Sequence, residues 1–582
     1  MKKILIILLP LLLLPLLVGC TAQPDEPSTP SDETVIEGDG YTLTIKGTVL
    51  TKVKYTVPGA AVRVTVPEGV TETSFNASRM LFSAVSFTVP STLENFKYAI
   101  PMDQFGIDID FVQVVEIYDL SPHFDFDLEN AEYSSIIKPT LKVIHKSENE
   151  KSCLTEKDGF IYYESDEETL LVGFTEFTDP MTVPAEYNGK PCEIGAYAFA
   201  KAKFGEVTIS EGITTLGEGC FLYTNVSKFN LPSTLRHVGA SAFNQCHKLE
   251  SIDLPDGITE IGRSAFAYCS KLTSIRLPDA LEILDNAVIQ KTGITSLHIP
   301  ANVSQIRMSL DNYGGFERLT EFTVHPDNPY FSAKDGVLFD KSGEKLIIYP
   351  ASKEGTEYTV PDTVKEIASN AFYTSDNLTK ITVSEGVEII GSKAFCFSRI
   401  ESITLPKSLT AMEDDAFRYC SLLTDISVHK DNPAYTVIDG VLFDKAVTRL
   451  IFYPKTKTDN TYTVPKTVTA ICDYAAYDND HLNRIILPDG LISIGKWAFY
   501  LHIEPLTVNL PNSLEYIGEC AFSSHELIIL KWNYTGDWIA TNYKGETEIL
   551  TQEHFNDLQS LKTKYLQDYS EKYTLEKVKP TE

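Results

Sequence analysis

The chain has 582 residues, a formal net charge of −30, 43% hydrophobic residues and ten cysteines. That length exceeds what one ordinary hydrophobic core supports. The acidity argues against nucleic acid or an anionic membrane surface as the main partner, since both attract positive charge; it serves solubility, or else collects cations or basic partners.

Residues 1–19 read as an export signal, with Lys2 and Lys3 ahead of the apolar run Ile4–Val18. The run is short for a membrane span, and Pro10 and Pro15 would disturb a long helix. It ends in LVGC (Leu17–Cys20), which resembles the bacterial lipobox. The resemblance implies that Cys20 receives lipid and becomes the mature N-terminus. An ordinary signal peptide with an incidental cysteine is the alternative. Residues 20–40 are rich in Pro, Ser, Thr, Asp and Glu, and predict a disordered tether.

Residues 41–157 show strand-like alternation in Tyr41–Ile45 and Val62–Val66. VTVP ending at Pro67 and FTVP ending at Pro90 are 23 residues apart. We expect a degenerate β-rich region that continues or caps the regular repeats downstream, with a separate small β domain as the alternative.

Residues 158–530 repeat one phrase, LxxIxLP followed by IGxxAFxxC, at a spacing of 22 or 23 residues. Its clearest copy runs from Leu249 to Cys269. A fixed period in this range predicts a solenoid, in which each turn buries its apolar side against its neighbours. Within LxxIxLP, alternate residues face inward, and proline ends the strand. Glycine allows close backbone approach, and Ala-Phe supplies a small and a large filler for a stacked phenylalanine column. Cys246, Cys269 and Cys420 all fall three residues after the repeat phenylalanine and predict a buried column. There is no CxxC pair, and a disulfide framework is not expected in so large a repeat protein.

A longer repeat overlies the short one. VHPDNP (Val324–Pro329) returns as VHKDNP (Val428–Pro433), and DGVLFD (Asp335–Asp340) returns at Asp439–Asp444, both 104 residues later. The insert reads as two short strands, VLFD and LIIYP, joined by a polar turn at Lys341–Glu344. A diverged copy starts near Asp158-Gly159. Residues 531–582 predict a C-terminal cap. In it Phe555, Leu558, Leu561, Tyr565, Leu566 and Tyr569 share one face of a helix over 551–570, with Thr551 as N-cap.

These repeats resemble the BspA-like (Treponema-type) leucine-rich repeat over roughly residues 158–530. The resemblance implies a leucine-rich-repeat superhelix of 22–23-residue turns with stacked parallel strands. It also implies a bacterial surface protein, some relatives of which are implicated in adhesion to host matrix proteins or other bacteria. The family shares no catalytic motif, so no active-site residue carries over.

The residues agree with that expectation. HExxH, GxSxG and GxxxxGK[ST] are absent. No catalytic residue, metal site or cofactor is expected. His325 and His429 recur beside Asp327 and Asp431 and could suggest a metal or proton site, but HxDNP is first of all turn chemistry. The candidate partner-binding surface is the outward strand column, represented by Asp253, Arg276, His298, Thr323, Thr382 and Thr404. It is polar and nearly uncharged, on the kind of extended face that solenoids use. The expectation is a non-enzymatic, lipid-anchored protein of the bacterial cell envelope that binds proteins. The alternative is a glycan-binding or nutrient-capture lipoprotein, for which Tyr330, Phe331 and Tyr435 on the inserts would be exposed aromatics. An enzyme with its chemistry in residues 41–157 is the third reading.

Overall fold

The computed structural model describes residues 33–578, apart from 39–40, 56–61, 77–83, 94, 100–112, 120–142, 146, 148, 176–177, 309–314, 480, 501–505, 523–526, 534 and 567–570. The export signal, Cys20 and most of the tether therefore lie outside the described residues. The protein is a β-solenoid of about 17 turns.

Each regular turn contributes to two parallel stacks. One stack holds the LxxIxLP strands, here the LP sheet. Glu357–Thr359, Lys380–Thr382, Ser402–Leu405 and Asp425–Val428 form one four-stranded run of it. The other stack holds two-residue strands that end on the repeat isoleucine, here the IG sheet. Glu193–Ile194, Thr215–Leu216, His237–Val238 and Glu260–Ile261 pair in order. A third backbone ladder runs through the AF corner. Phe199 N donates to Cys220 O, Phe221 N to Ala242 O and Phe243 N to Ala265 O, each at 2.8 Å.

The phenylalanine column is present. Phe199, Phe221, Phe243 and Phe266 stack with centroids 5.1–5.7 Å apart and planes within 8° of parallel. Phe372, Phe395 and Phe417 form a second run at 5.3 Å. The cysteines beside them are buried and do more than fill space. Cys246, Cys269 and Cys420 point their Sγ at the carbonyls of Phe221, Phe243 and Phe395, one turn back, at 3.0–3.2 Å.

One stretch departs from expectation. The clearest copy of the phrase forms no ladder at Leu249–Pro255, nor does the next copy at Leu272–Pro278. The in-out alternation persists, with Ile252, Leu254, Ile275 and Leu277 buried and Asp253 and Arg276 exposed. Side-chain burial holds the register there with little backbone pairing, the two segments being joined by a long bond from Thr273 N to Glu250 O at 3.4 Å, and the LP sheet is broken into separate runs.

The inserts are three-stranded meanders rather than the two strands expected. Phe331–Lys334, Val337–Asp340 and Lys345–Ile348 run antiparallel, and the last then pairs parallel with Glu366–Ile367. Tyr435–Ile438, Val441–Asp444 and Arg449–Phe452 repeat this arrangement. The diverged copy is Leu154–Lys157, Phe160–Glu164 and Thr169–Phe174. Each hairpin turns on Asp-Gly. Asp158, Asp335 and Asp439 have φ of 53°, 50° and 49°, and the following glycines 81°, 78° and 79°. Both central residues are left-handed, as the tight turn matching strand twist requires.

Upstream, the same design recurs. Glu33–Gly38, Tyr41–Lys46 and Val49–Tyr55 form an antiparallel meander. Parallel strands then follow at 23-residue offsets, as in Val49↔Glu72, Glu72↔Asn95 and Val62↔Val85. The strand Glu33–Gly38 corrects the expectation that residues 20–40 are all tether. Its β-branched Thr34, Val35 and Ile36 pair with the alternating strand Tyr41–Lys46 and need little burial of their own.

The predicted C-terminal helix is shorter and broken. Gln552–Phe555 and Leu558–Leu561 are separate turns, followed by a π-helical turn at Lys562–Leu566. Asp557 leaves helical geometry (φ −122°, ψ 82°), and its Oδ1 accepts the Gln559 and Ser560 amides at 3.1 Å, so it restarts the helix. The expected face still packs inward through Phe555, Leu561, Tyr565 and Leu566. The strand edge itself is closed by Thr574–Lys577, which runs antiparallel to Tyr516–Ile517 and pairs with Trp538–Thr541. An antiparallel strand at this position ends the parallel stack.

Polar staples also link successive turns. Glu211 accepts the Ser233 amide (2.9 Å) and hydroxyl (3.0 Å), and Glu68 does the same with Ser91. The serine amide, then its hydroxyl, hold both carboxyls below the usual carboxylate range. A carboxylate whose pKa is lowered by folding stabilises fully above its unfolded pKa, and that contribution is lost as pH falls through the folded value. Glu211→Gln removes one such titration. Its unfolding midpoint should therefore fall less than that of the wild type between about pH 5 and about pH 3, in urea melts followed by circular dichroism. Equal slopes would reject the staple.

Candidate interaction surfaces

The outward column is exposed but is not one continuous surface. Asp253 and Arg276 stand where the LP sheet has no ladder. Arg276 is ion-paired with Asp256 of the preceding turn and, at 3.3 Å, with Asp279 of its own, so its charge is already engaged. His298 and Thr323 are register partners, joined through Nδ1 and Oγ1 at 2.9 Å. Thr382 and Thr404 are register partners in the next run, and Ser427 donates to Thr404 Oγ1 at 3.0 Å. The six residues thus fall into three segments, separated by the ladder gap and by the first meander.

The repeated histidines serve the turns. His325 Nδ1 accepts the Asp327 amide and His429 Nδ1 the Asp431 amide, both at 3.2 Å. Among the described residues, no group of three or more His, Cys, Asp or Glu side chains is placed to hold a metal ion.

Of the three insert aromatics, only Tyr330 is exposed, at 51%. Phe331 and Tyr435 are buried at 8% and 7%, because they begin the meander strands whose inner face joins the core. The exposed-aromatic expectation is corrected at those two positions.

A row of half-buried aromatics lies on the AF corner. Phe397 stacks on Tyr419 at 4.3 Å, and Tyr419 meets the Tyr477 edge at 4.7 Å. Tyr474 stacks on Trp497 at 6.2 Å, and Tyr477 on Tyr500 at 5.4 Å. Arg418 lies over the rings of both Tyr419 (4.6 Å) and Tyr474 (4.1 Å), and its Nη2 donates to the Tyr419 hydroxyl at 2.9 Å. Burial pushes the hydroxyls of Tyr474 and Tyr477 above their ordinary pKa, so both are protonated at neutral pH. The rings of Tyr419 and Tyr474 lie 6.2 Å apart, and a cavity of about 140 Å³ opens beside them and the turn at Tyr453–Lys455. Sequence reading missed this row. Its signal is the identity of the residues two after the repeat glycine position (Tyr474, Trp497) and two after the phenylalanine (Phe397, Tyr419). The backbone there is left-handed, with φ of 57–59°.

A long stack of short strands with function left to its outer face defines a leucine-rich-repeat solenoid. The chain belongs to the family described as the BspA type leucine rich repeat region, whose model matches six copies over residues 192–311, 351–458 and 445–564. Among solved structures, a leucine-rich repeat protein from Eubacterium ventriosum is 23% identical over 65% of this chain and 95% of its own, with a TM-score of 0.42. The pneumococcal vaccine antigen PcpA is 19% identical over 65% of this chain and 99% of its own (TM-score 0.44). A leucine rich cell surface protein from Faecalibacterium prausnitzii is 19% identical over 66% and 96% (TM-score 0.39). No curated protein matches the sequence.

Proposed function

We propose that the protein is a non-enzymatic, lipid-anchored surface protein of a bacterial cell envelope that displays its solenoid for protein binding or adhesion. The observation that carries this reading is the division of labour within each turn. The repeated letters Ile, Leu, Ala, Phe and Cys point inward, and the variable letters of the strands point out. The outer face is therefore free to diversify without disturbing the stack. The lipobox-like LVGC and the acidic, Pro- and Ser-rich stretch after it support an anchored, projecting arrangement. Host matrix proteins or the surfaces of other bacteria are the partners proposed. Capture of glycans is the alternative, and the aromatic row on the AF corner favours it.

Protease shaving of intact cells tests the location. The solenoid should be cleaved from wild-type cells, and Cys20→Ser should move it from the membrane fraction to the medium or periplasm. Full protection of the wild-type protein rejects the adhesion reading. Replacing Asp253, Arg276 and His298 together by alanine should weaken capture of a matrix-protein partner roughly tenfold, if the outward column is the contact face. Unaltered capture moves the contact elsewhere on the solenoid.

A further inference from the structure

We propose that the cavity beside the turn Tyr453–Lys455 is a binding site for a single pyranose ring, the terminal residue of a glycan. The inference gives the glycan alternative a defined site and does not depend on the protein-binding reading.

Three features of the site point to a sugar. Its lining is largely aromatic: Phe397, Phe417, Tyr419, Phe452, Tyr474 and Tyr477, with Tyr419 and Tyr477 in edge contact at 4.7 Å. Ring faces suit the C–H faces of a pyranose, which are its apolar part. Its rim carries Lys455 and Asp478, paired at 2.7 Å and only 25% and 31% exposed. A fixed donor beside a fixed acceptor suits neighbouring hydroxyls, each of which both gives and takes a hydrogen bond. Its volume of about 140 Å³ is below the several hundred Å³ of pockets for larger ligands, and admits one ring rather than a peptide segment.

The charges narrow the class further. Lys455 in the cavity and Arg418 stacked against its walls disfavour a cationic ligand, which aromatic walls alone would accept. The Asp478 carboxylate in the same lining disfavours a bare inorganic anion. A neutral or acidic sugar satisfies both constraints.

The internal duplication supplies an independent observation. At the positions 104 residues earlier, Tyr349 and Tyr373 match Tyr453 and Tyr477. Yet Ala351, Asn370, Thr374 and Gly315 stand in place of Lys455, Tyr474, Asp478 and Tyr419. The buried tyrosine that builds the turn is kept, and the residues that furnish the cavity differ. Those residues are therefore not demanded by the turn itself.

The same comparison provides variants compatible with the fold. Tyr474→Asn, and the triple change Lys455→Ala, Tyr474→Asn and Asp478→Thr, install the residues that the first copy already carries. The full chain is applied to an array of immobilised hexopyranosides, N-acetylhexosamines and uronic acids. Calorimetry is then done with the methyl glycoside of the strongest binder. Tyr474→Asn should weaken binding roughly tenfold and the triple variant should abolish it, with the unfolding midpoint unchanged. Sugar binding that survives the triple change overturns this site while leaving the glycan alternative standing. No binding to any sugar on the array overturns both, and leaves the protein-binding reading untouched. Loss of a captured protein partner in the triple variant, with no sugar bound, overturns the saccharide assignment in favour of a protein contact.

Discussion

Asn432→Ala should lower the stability of the second block by about 3 kcal/mol or more, one of the largest effects open to a surface-neutral substitution. Asn432 is 1% exposed. Its Nδ2 donates to Pro406 O at 2.7 Å and Leu409 O at 3.0 Å, and its Oδ1 accepts from Ala434 N at 2.8 Å and Tyr435 N at 2.7 Å. Two donors and two lone pairs are all used, so the amide ties the end of one LP strand to the start of the meander. Alanine would leave those four backbone groups to find other partners, and each buried polar group left alone costs about 1–3 kcal/mol. The loss should be local, because a solenoid turn depends mainly on its neighbours. Urea unfolding should therefore show an early transition for the second block, and hydrogen exchange should quicken first around Tyr435–Ile438. Asn328, with partners one block earlier at 2.7–2.9 Å, should behave alike. A change within about 0.5 kcal/mol at both sites would show that the bridge contributes nothing net.

This asparagine illustrates what a single sequence reveals. The repeat of HxDNP at a 104-residue offset identified a turn, and the structure bears that out in the hydrogen bonds of His325, Asn328, His429 and Asn432. The period, the inward alternation, the phenylalanine column and the Asp-Gly hairpins were legible for the same reason. Each is a local rule applied many times over. What was not legible depends on contacts between turns. Whether Ile252 and Ile275 sit in a hydrogen-bonded strand depends on the spacing of their neighbours, and their own alternation is identical either way. Phe331 and Tyr435 read as exposed because the extra meander strand that buries them could not be distinguished from loop.

The candidate surfaces divide in the same manner. Asp253, Arg276, His298, Thr323, Thr382 and Thr404 were correctly read as outward-facing, because strand parity alone decides that. Their grouping into three segments was not legible, because it depends on where ladders stop. The aromatic row escaped notice because its residues occupy corner positions. Neither helical nor strand periodicity applies there, and a left-handed backbone places side chains from successive turns side by side.

Gly239→Ala should be more damaging still for its size, and the chain contains its own control. A Cβ on Gly239 would lie 2.7 Å from Glu218 N, Gly217 C and Leu216 O, all backbone of the preceding turn. Gly391, Gly495 and Gly518 face the same obstruction, at 2.5 Å from Ser369 N, Asp473 N and Lys496 N. Backbone cannot swing aside as a side chain can, so the turns must separate. Gly239 N donates to Leu216 O at 2.8 Å, and that bond would lengthen with its neighbours on the IG sheet. The expected cost is about 3 kcal/mol or more, at the upper end for overpacking. The position takes a Cβ where a meander precedes the turn, and also at Leu284 and at Glu413, whose amide reaches Ile390 O at 3.1 Å rather than 2.8 Å. Ala368 and Cys472 occupy the glycine position after the meanders and already carry a Cβ, and one on Gly195 would meet Leu171 O at 3.1 Å. Gly195→Ala should therefore cost far less, within about 1 kcal/mol. Thermal melts of the two variants, with limited proteolysis to locate the opened turn, measure the contrast. Equal losses at Gly195 and Gly239 would mean that turn-to-turn approach is not what the repeat glycine secures.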